Sequence, residues 1–231
     1  MSNLSVAQHD LVRLVTVDDG KANALSADLI EAIGSAVADA ESDASTKAVV
    51  LAGREGRFSA GFDLSVMRGG DVAAMVHLVA DGGALVRQVY GAGVPVVAAC
   101  TGHAVAAGAL LLLGCDVRIG SDASVKIGLN EVAIGMVLPN WAQTIARVRL
   151  TPRWVERCVA NAQLFDGAGA VEAGFLDEVV PPASVVDRAM EVARDLCALD
   201  PSAYRGTMAS YRGATLAKME NQIAADRAAA A

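Results

Sequence analysis

The chain has 231 residues, 54% of them hydrophobic, 19% charged and only 4% aromatic, which excludes wholesale disorder and implies a core filled mainly by Ala, Val and Leu. That length suits one domain, or one domain with a small appendage. The formal net charge of −7 and a pI near 4.9 argue against a nucleic-acid-binding protein, although a local basic pocket stays allowed.

Taken in chain order, Leu11 to Val17 alternates as a strand does, and Asp18-Asp19-Gly20-Lys21 follows as a turn. Ser26 then stands as an N-cap before Leu29, Ile30, Ile33 and Val37, whose spacing predicts an amphipathic helix over 27–40. Lys47 to Ala52 is short, apolar and β-branched, the pattern of a strand buried on both faces. It recurs at Val94 to Cys100 and more weakly at Val117 to Ile119. Val94 to Leu113 is the one stretch resembling a membrane span, but Pro95, Thr101, Gly102, His103 and Gly108 interrupt it. It reads as a buried strand, a turn and a buried helix, so no membrane partner is expected. Beyond Pro139, helices are predicted over 141–148, 153–160 and 167–174, then from a Ser184 cap through about 199, with a last helix after Pro201 and an Ala-rich tail. Strands alternating with helices predict an α/β fold with a mostly parallel sheet. The predicted division is a core domain over 1–181 and a helical region over 182–231. That second region is too small to bury much alone, so it is expected to pack on the core or on a neighbouring subunit as an oligomerisation element.

Cys100, Cys115, Cys158 and Cys197 form no CxxC pair, and His9, His77 and His103 lack ligand spacing, so no structural metal is expected. The N-terminal residues show no basic segment leading an apolar one, so a cytoplasmic location with reduced thiols is expected.

Two stretches carry candidate chemistry. Arg57-Phe58-Ser59-Ala60-Gly61-Phe62-Asp63-Leu64 follows a buried strand and has small residues that would let a ligand approach bare backbone; a tight strand-to-helix turn is the plainer reading. Gly102-His103-Ala104-Val105-Ala106-Ala107-Gly108 repeats the arrangement after a second buried strand, where close helix packing on the sheet is the plainer reading. Two such turns at one sheet edge would bring two backbone donors together. Glu131 lies in an apolar stretch between Leu129 and Ile134; lining a pocket, its pKa would rise and suit a base, whereas at the surface it would only begin a turn. Asp116 and Arg118 read as structural, Glu156 as ion-paired with Arg153 or Arg157, and His103 as a hydrogen-bonded residue closing its turn.

With FSAGFDL, GHAVAAGALLLLGCDVRI, IGLNEVAIGMVLP and AVEAGFLDEVVP in that order, and NALS at 23–26 before them, the chain resembles the crotonase superfamily of enoyl-CoA hydratases and isomerases from about Val12 to Pro181. The resemblance implies a crotonase (ClpP/crotonase-like) fold, an acyl-CoA thioester as ligand, no metal or redox cofactor, and a homotrimer or hexamer. It places the oxyanion donors at the N–H groups of Phe62 and Ala107 and the base at Glu131. Around the thioester it places Lys21, Ala22, Ala24, Ala60, Gly61, Asp63, Leu64, Arg68, Leu110 and Trp141, with Lys21 and Arg68 as candidates for the CoA phosphates. The hydratases carry a second glutamate at the position of Leu110. Its absence brings the chain nearer the Δ3,Δ2-enoyl-CoA isomerases, which use one glutamate. A hydratase, or a silent acyl-CoA carrier built on the same fold, are the alternatives.

Overall fold

The runs of Val and Ala that read as strands buried on both faces are so placed in a computed structural model, which describes residues 3–228. β1 (Leu4–His9) and β2 (Val12–Val17) form an antiparallel hairpin through Asp10, whose φ is 53°. β3 (Ala48–Gly53), β5 (Val96–Cys100), β7 (Val117–Ser121) and β9 (Glu178–Val180) extend it in the order β1-β2-β3-β5-β7-β9, every pair after the first being parallel. A second, wholly parallel sheet joins β4 (Gly56–Ser59), β6 (Gly102–Val105) and β8 (Ile127–Gly128). β1, β4, β6, β8 and β9 were not predicted: β1 is exposed along most of its length, β4 and β6 lie in the small-residue stretches read as turns, and β8 and β9 are too short for a periodicity to show.

Alternation within β3 explains its unbroken apolar sequence. Val49 and Leu51 face the larger core with α1 (Ala27–Ser42), while Ala48, Val50 and Ala52 face a second layer. That layer is α8 (Val185–Leu196), which seals the sheet with Val185, Ala189, Met190 and Ala193. Ser26 caps α1, accepting from the Leu29 amide at 3.3 Å. Ser184 does not cap α8 with its side chain; it ends a 3₁₀ turn over Pro182–Ser184 that leads into the helix.

After the short α2 (Leu64–Met67) comes α3 (Val72–Tyr90), a helix the sequence reading did not identify. By length and composition alone it could cross a membrane. Here Leu78, Leu85, Val86 and Val89 are buried in the core instead. α4 (Ala107–Gly114) is buried along its entire length, as an all-apolar helix must be. α5 (Asn140–Arg149), α6 (Val155–Val159) and α7 (Gly167–Ala173) follow. Among the described residues Glu156 makes no ion pair; Arg153 and Arg157 lie over the Trp154 ring, and Arg153 reaches Glu172 at 3.9 Å.

α9 (Pro201–Ala228) runs back across the molecule with Pro201 as its first residue; the tail beyond 228 lies outside the described residues. It lies antiparallel to α3, held by Arg87–Glu220 at 2.8 Å and Arg227–Asp81 at 2.6 Å, and meets α5 through the Thr144 hydroxyl, which donates to Gln222 Oε1 at 2.9 Å. Buried Arg212 donates to Asp116 at 2.7 Å and to the Tyr90 carbonyl, with its guanidinium over the Tyr90 ring. Asp116 also accepts from Tyr204 and from the Val96 amide, so its role is structural, as is that of Arg118, paired with Asp177 at 2.6 Å.

Candidate active site

The first turn is built by Asn23 and Ser59. Asn23 is buried and donates from Nδ2 to the carbonyls of Val17 and Phe58, fastening the loop after β2 to β4. Ser59 Oγ donates to the Asn23 carbonyl at 2.8 Å and accepts from the Gly61 amide at 3.2 Å. The Ala60 amide donates to Ala22, Leu25 to Gly61, and Asp63 to Leu25. Among the amides of residues 60–63, this leaves that of Phe62 without an acceptor. Gly61 has φ of +93°, a conformation only glycine adopts without strain.

The second turn ends β6. The Ala106 amide donates to the Gly128 carbonyl at 2.9 Å, and Ala106 itself takes φ 53° and ψ −125°, an unfavourable geometry for a residue with a Cβ. Ala107 is the first residue of α4, where an amide has no partner in its own helix, and it is 2% exposed. A Cβ placed on Gly61 would stand 3.0 Å from Ala106 Cβ and 3.5 Å from Ala107 N, so the turns that carry the two free amides abut. Gly108 is the close-packing residue: a Cβ there would come within 2.5 Å of the Ser59 carbonyl oxygen.

Both turns open on a cavity of about 630 Å³. Glu131 lines it, 8% exposed, directly before a 3₁₀ turn over Val132–Ile134, and its Oε2 has no hydrogen-bond partner. Burial pushes its carboxyl up to about 7, only partly offset by the backbone N–H groups of Asn130 and Glu131. It is a pocket carboxyl. Leu110, 1% exposed, lines the same cavity and presents it with an apolar side chain.

Of the other predicted contacts, Ala60, Phe62, Leu64, Arg68 and Trp141 also line the cavity. Ala22, Ala24 and Gly61 shape the first turn from behind. Asp63 is occupied as the N-cap of α2, accepting from Ser65 at 2.8 Å. Lys21 is exposed and lies outside the cavity wall, its carbonyl accepting from Arg54. His103 accepts through Nδ1 from the Lys126 amide, and burial with nearby Arg57 and Lys126 lowers its pKa. The sequence reading missed the wall that α3 and α9 supply: Met75, Val76, Val79 and Asp226. A signal existed in Gly82-Gly83, where a side chain would collide with the Phe62 ring and, at 2.7 Å, with the Trp141 indole. Among the described residues, no three His, Cys, Asp or Glu side chains come together as metal ligands would.

The sequence profile of the enoyl-CoA hydratase/isomerase family matches residues 8–230. The chain belongs to that family. Its fold is the crotonase fold of these enzymes. It is 32% identical over 206 residues to human mitochondrial enoyl-CoA delta isomerase 1, covering 88% of this chain and 68% of the relative. Among solved structures, an enoyl-CoA hydratase from Mycobacterium marinum superposes with a TM-score of 0.92 at 34% identity, covering 98% of this chain and 99% of the other. Human mitochondrial delta3-delta2-enoyl-CoA isomerase gives 0.93 at 29% identity, covering 99% and 90%. The family acts on acyl-CoA thioesters, and this chain is an enzyme of it.

Proposed function

We propose that this enzyme moves the double bond of 3-enoyl-CoA thioesters to position 2 and needs no cofactor for it. The observation that carries the reading is the pairing of one unpartnered, buried Glu131 with Leu110 on the same cavity. Charge builds on the thioester oxygen as a C2 proton leaves, and amides aimed at that oxygen stabilise the enolate. The Phe62 and Ala107 amides serve there, because both are free and stand on abutting turns. Glu131, with its pKa near neutrality, removes the proton at C2 and returns it at C4. One base with two stations completes an isomerisation. Hydration instead requires a water to be oriented and split, work shared by two carboxylates, and Leu110 contributes none. In this reading Arg68, at the cavity edge, meets the CoA phosphates, with exposed Lys21 as the second cation.

The deciding experiment is a pair of steady-state assays with 3-enoyl-CoA and 2-enoyl-CoA. Isomerisation is expected to exceed hydration by orders of magnitude. Dominant hydration would overturn the assignment, and binding of both without turnover would leave a carrier. The four cysteines are free and buried, which supports a reducing, cytoplasmic setting. The assembly is a homotrimer or a dimer of trimers, supported by Val137, 89% exposed at the cavity rim, an apolar side chain for another subunit to cover. Light scattering reads the stoichiometry.

A further inference from the structure

Asp19 stands half-buried in the loop after β2, outside the cavity wall, and its carboxylate gathers three amides of that loop. Oδ1 accepts from the Lys21 amide at 2.7 Å and the Asn23 amide at 2.9 Å, and Oδ2 from the Ala24 amide at 3.2 Å. The Asp19 amide donates in return to Asn23 Oδ1 at 3.0 Å. Burial works against the charge, but the three amides and nearby Arg54 outweigh it and hold the Asp19 pKa below its ordinary value. An aspartate that only closed a turn would need the Lys21 contact alone. The other two reach the segment on which the oxyanion turn is mounted. Asn23, 0% exposed, is held there with φ of 52°, a conformation that strains a residue with a Cβ. Its carbonyl accepts from Ser59 Oγ at 2.8 Å, and Ser59 Oγ accepts from the Gly61 amide at 3.2 Å. Three backbone bonds complete the join, Ala60 donating to Ala22 at 3.0 Å, Leu25 to Gly61 at 2.8 Å and Asp63 to Leu25 at 3.2 Å. They stand on either side of Phe62, whose own amide has no acceptor.

A continuous run of hydrogen bonds therefore joins the Asp19 carboxylate to the residues that flank the free amide. We propose that Asp19 is a positioning residue for the reaction: its carboxylate fixes residues 22–25, and through them the direction in which the Phe62 amide meets the thioester oxygen. This rests on the oxyanion reading above and adds to it a residue that touches no ligand. A donor moved by a fraction of an ångström loses part of its hold on the developing charge, so a small shift of this loop is read in the rate.

The test reads the oxyanion contact directly, by infrared difference spectroscopy of bound hexanoyl-CoA isotope-labelled at the thioester carbonyl, because a hydrogen bond to that oxygen lowers its stretching frequency. Wild type should shift the band below that of the free thioester. Asp19→Ala should lose most of that shift and about ten- to a hundredfold in kcat, with a smaller change in KM. Asp19→Asn keeps an oxygen for Lys21 and Asn23 but sets an amino group against the Ala24 amide, so it should fall between the two. Asp18→Ala, which removes the neighbouring exposed ion pair with Arg54 at 3.2 Å, controls for general loosening of the loop. It should keep the band and hold kcat within about twofold of wild type. A wild-type band and kcat in Asp19→Ala, or an equal loss in Asp18→Ala, would overturn the proposal and leave the isomerase reading standing. If Asp19→Ala does not fold, wild-type values of both in Asp19→Asn overturn it instead. An unshifted band in wild type would overturn the oxyanion role itself.

Discussion

A carboxyl group held in an apolar cavity with one oxygen unpaired is costly to ionise, and Glu131 is such a group. Its folded pKa of about 7 lies above the ordinary 4.5. The unfolded chain therefore ionises first as pH rises, and the residue subtracts stability progressively above about pH 4.5, fully above about 7. Glu131→Gln removes that penalty. Its stability relative to wild type should rise between pH 4 and pH 8 by an amount on the order of 3 kcal/mol, read from denaturant midpoints at both pH values. The same variant should lose roughly two to four orders of magnitude in turnover, as expected for deletion of a general base. In wild type, kcat/KM should climb with pH through about 7 and then level off. Leu110→Glu tests the other half of the pair: hydration should appear or rise against isomerisation, at some cost in stability from burying a charge. An unchanged ratio would remove the explanation for the reaction chosen. Glu131 was legible in sequence through the family resemblance, which places an acid in the segment 127–131, and its apolar flanks Leu129 and Ile134 gave the reason to expect a raised pKa. The strained backbone of Ala106 was not, since φ at an alanine leaves no mark on composition. Ala106→Gly should therefore stabilise the fold by about 1 kcal/mol with activity within a few-fold, measured by thermal melting and turnover.

At the level of elements, the site depends on how closely α4 and α3 approach the two turns. Gly108 lies against the Ser59 backbone, and Ser59 in turn holds Gly61 through its hydroxyl. Gly108→Ala inserts a methyl group where there is no room, so it should cost about 1–3 kcal/mol. Turnover should fall by more than binding, because the displaced part is the oxyanion turn. Comparing kcat with KM in this variant separates that effect from a general loosening. The strands and helices nearest the site were read from periodicity, Ser26 capping and β-branched runs. α3 escaped that reading because it is apolar nearly all round and interrupted by Gly82-Gly83. Those glycines weaken the helical signal, and the reason for them is two aromatic rings distant in sequence.

For the whole molecule, the long α9 completes the cavity, and a buried ionic cluster outside the cavity wall holds it there. Arg212 joins α9 to Asp116 before β7 and to the end of α3. Removing one partner of a buried pair leaves the other uncompensated, so Arg212→Leu should cost about 3 kcal/mol in global stability. It should also weaken acyl-CoA binding, although Arg212 touches no ligand, and hydrogen exchange should show α9 opening before α4. Equal protection of the two helices would show that α9 is held by other contacts.

Taken alone, the sequence determined the α/β class, the two small-residue turns, the acid at Glu131 and the family. These are local properties: periodicity of apolar residues, turn chemistry and motif order survive in one dimension. Tertiary structure alone decided that the turns carrying the free amides of Phe62 and Ala107 abut, that Glu131 is buried deeply enough to titrate near neutrality, and that Asp226 shares its cavity. Each depends on groups dozens of residues apart being brought into contact, and on the water that contact excludes, neither of which is written in the spacing of any one segment.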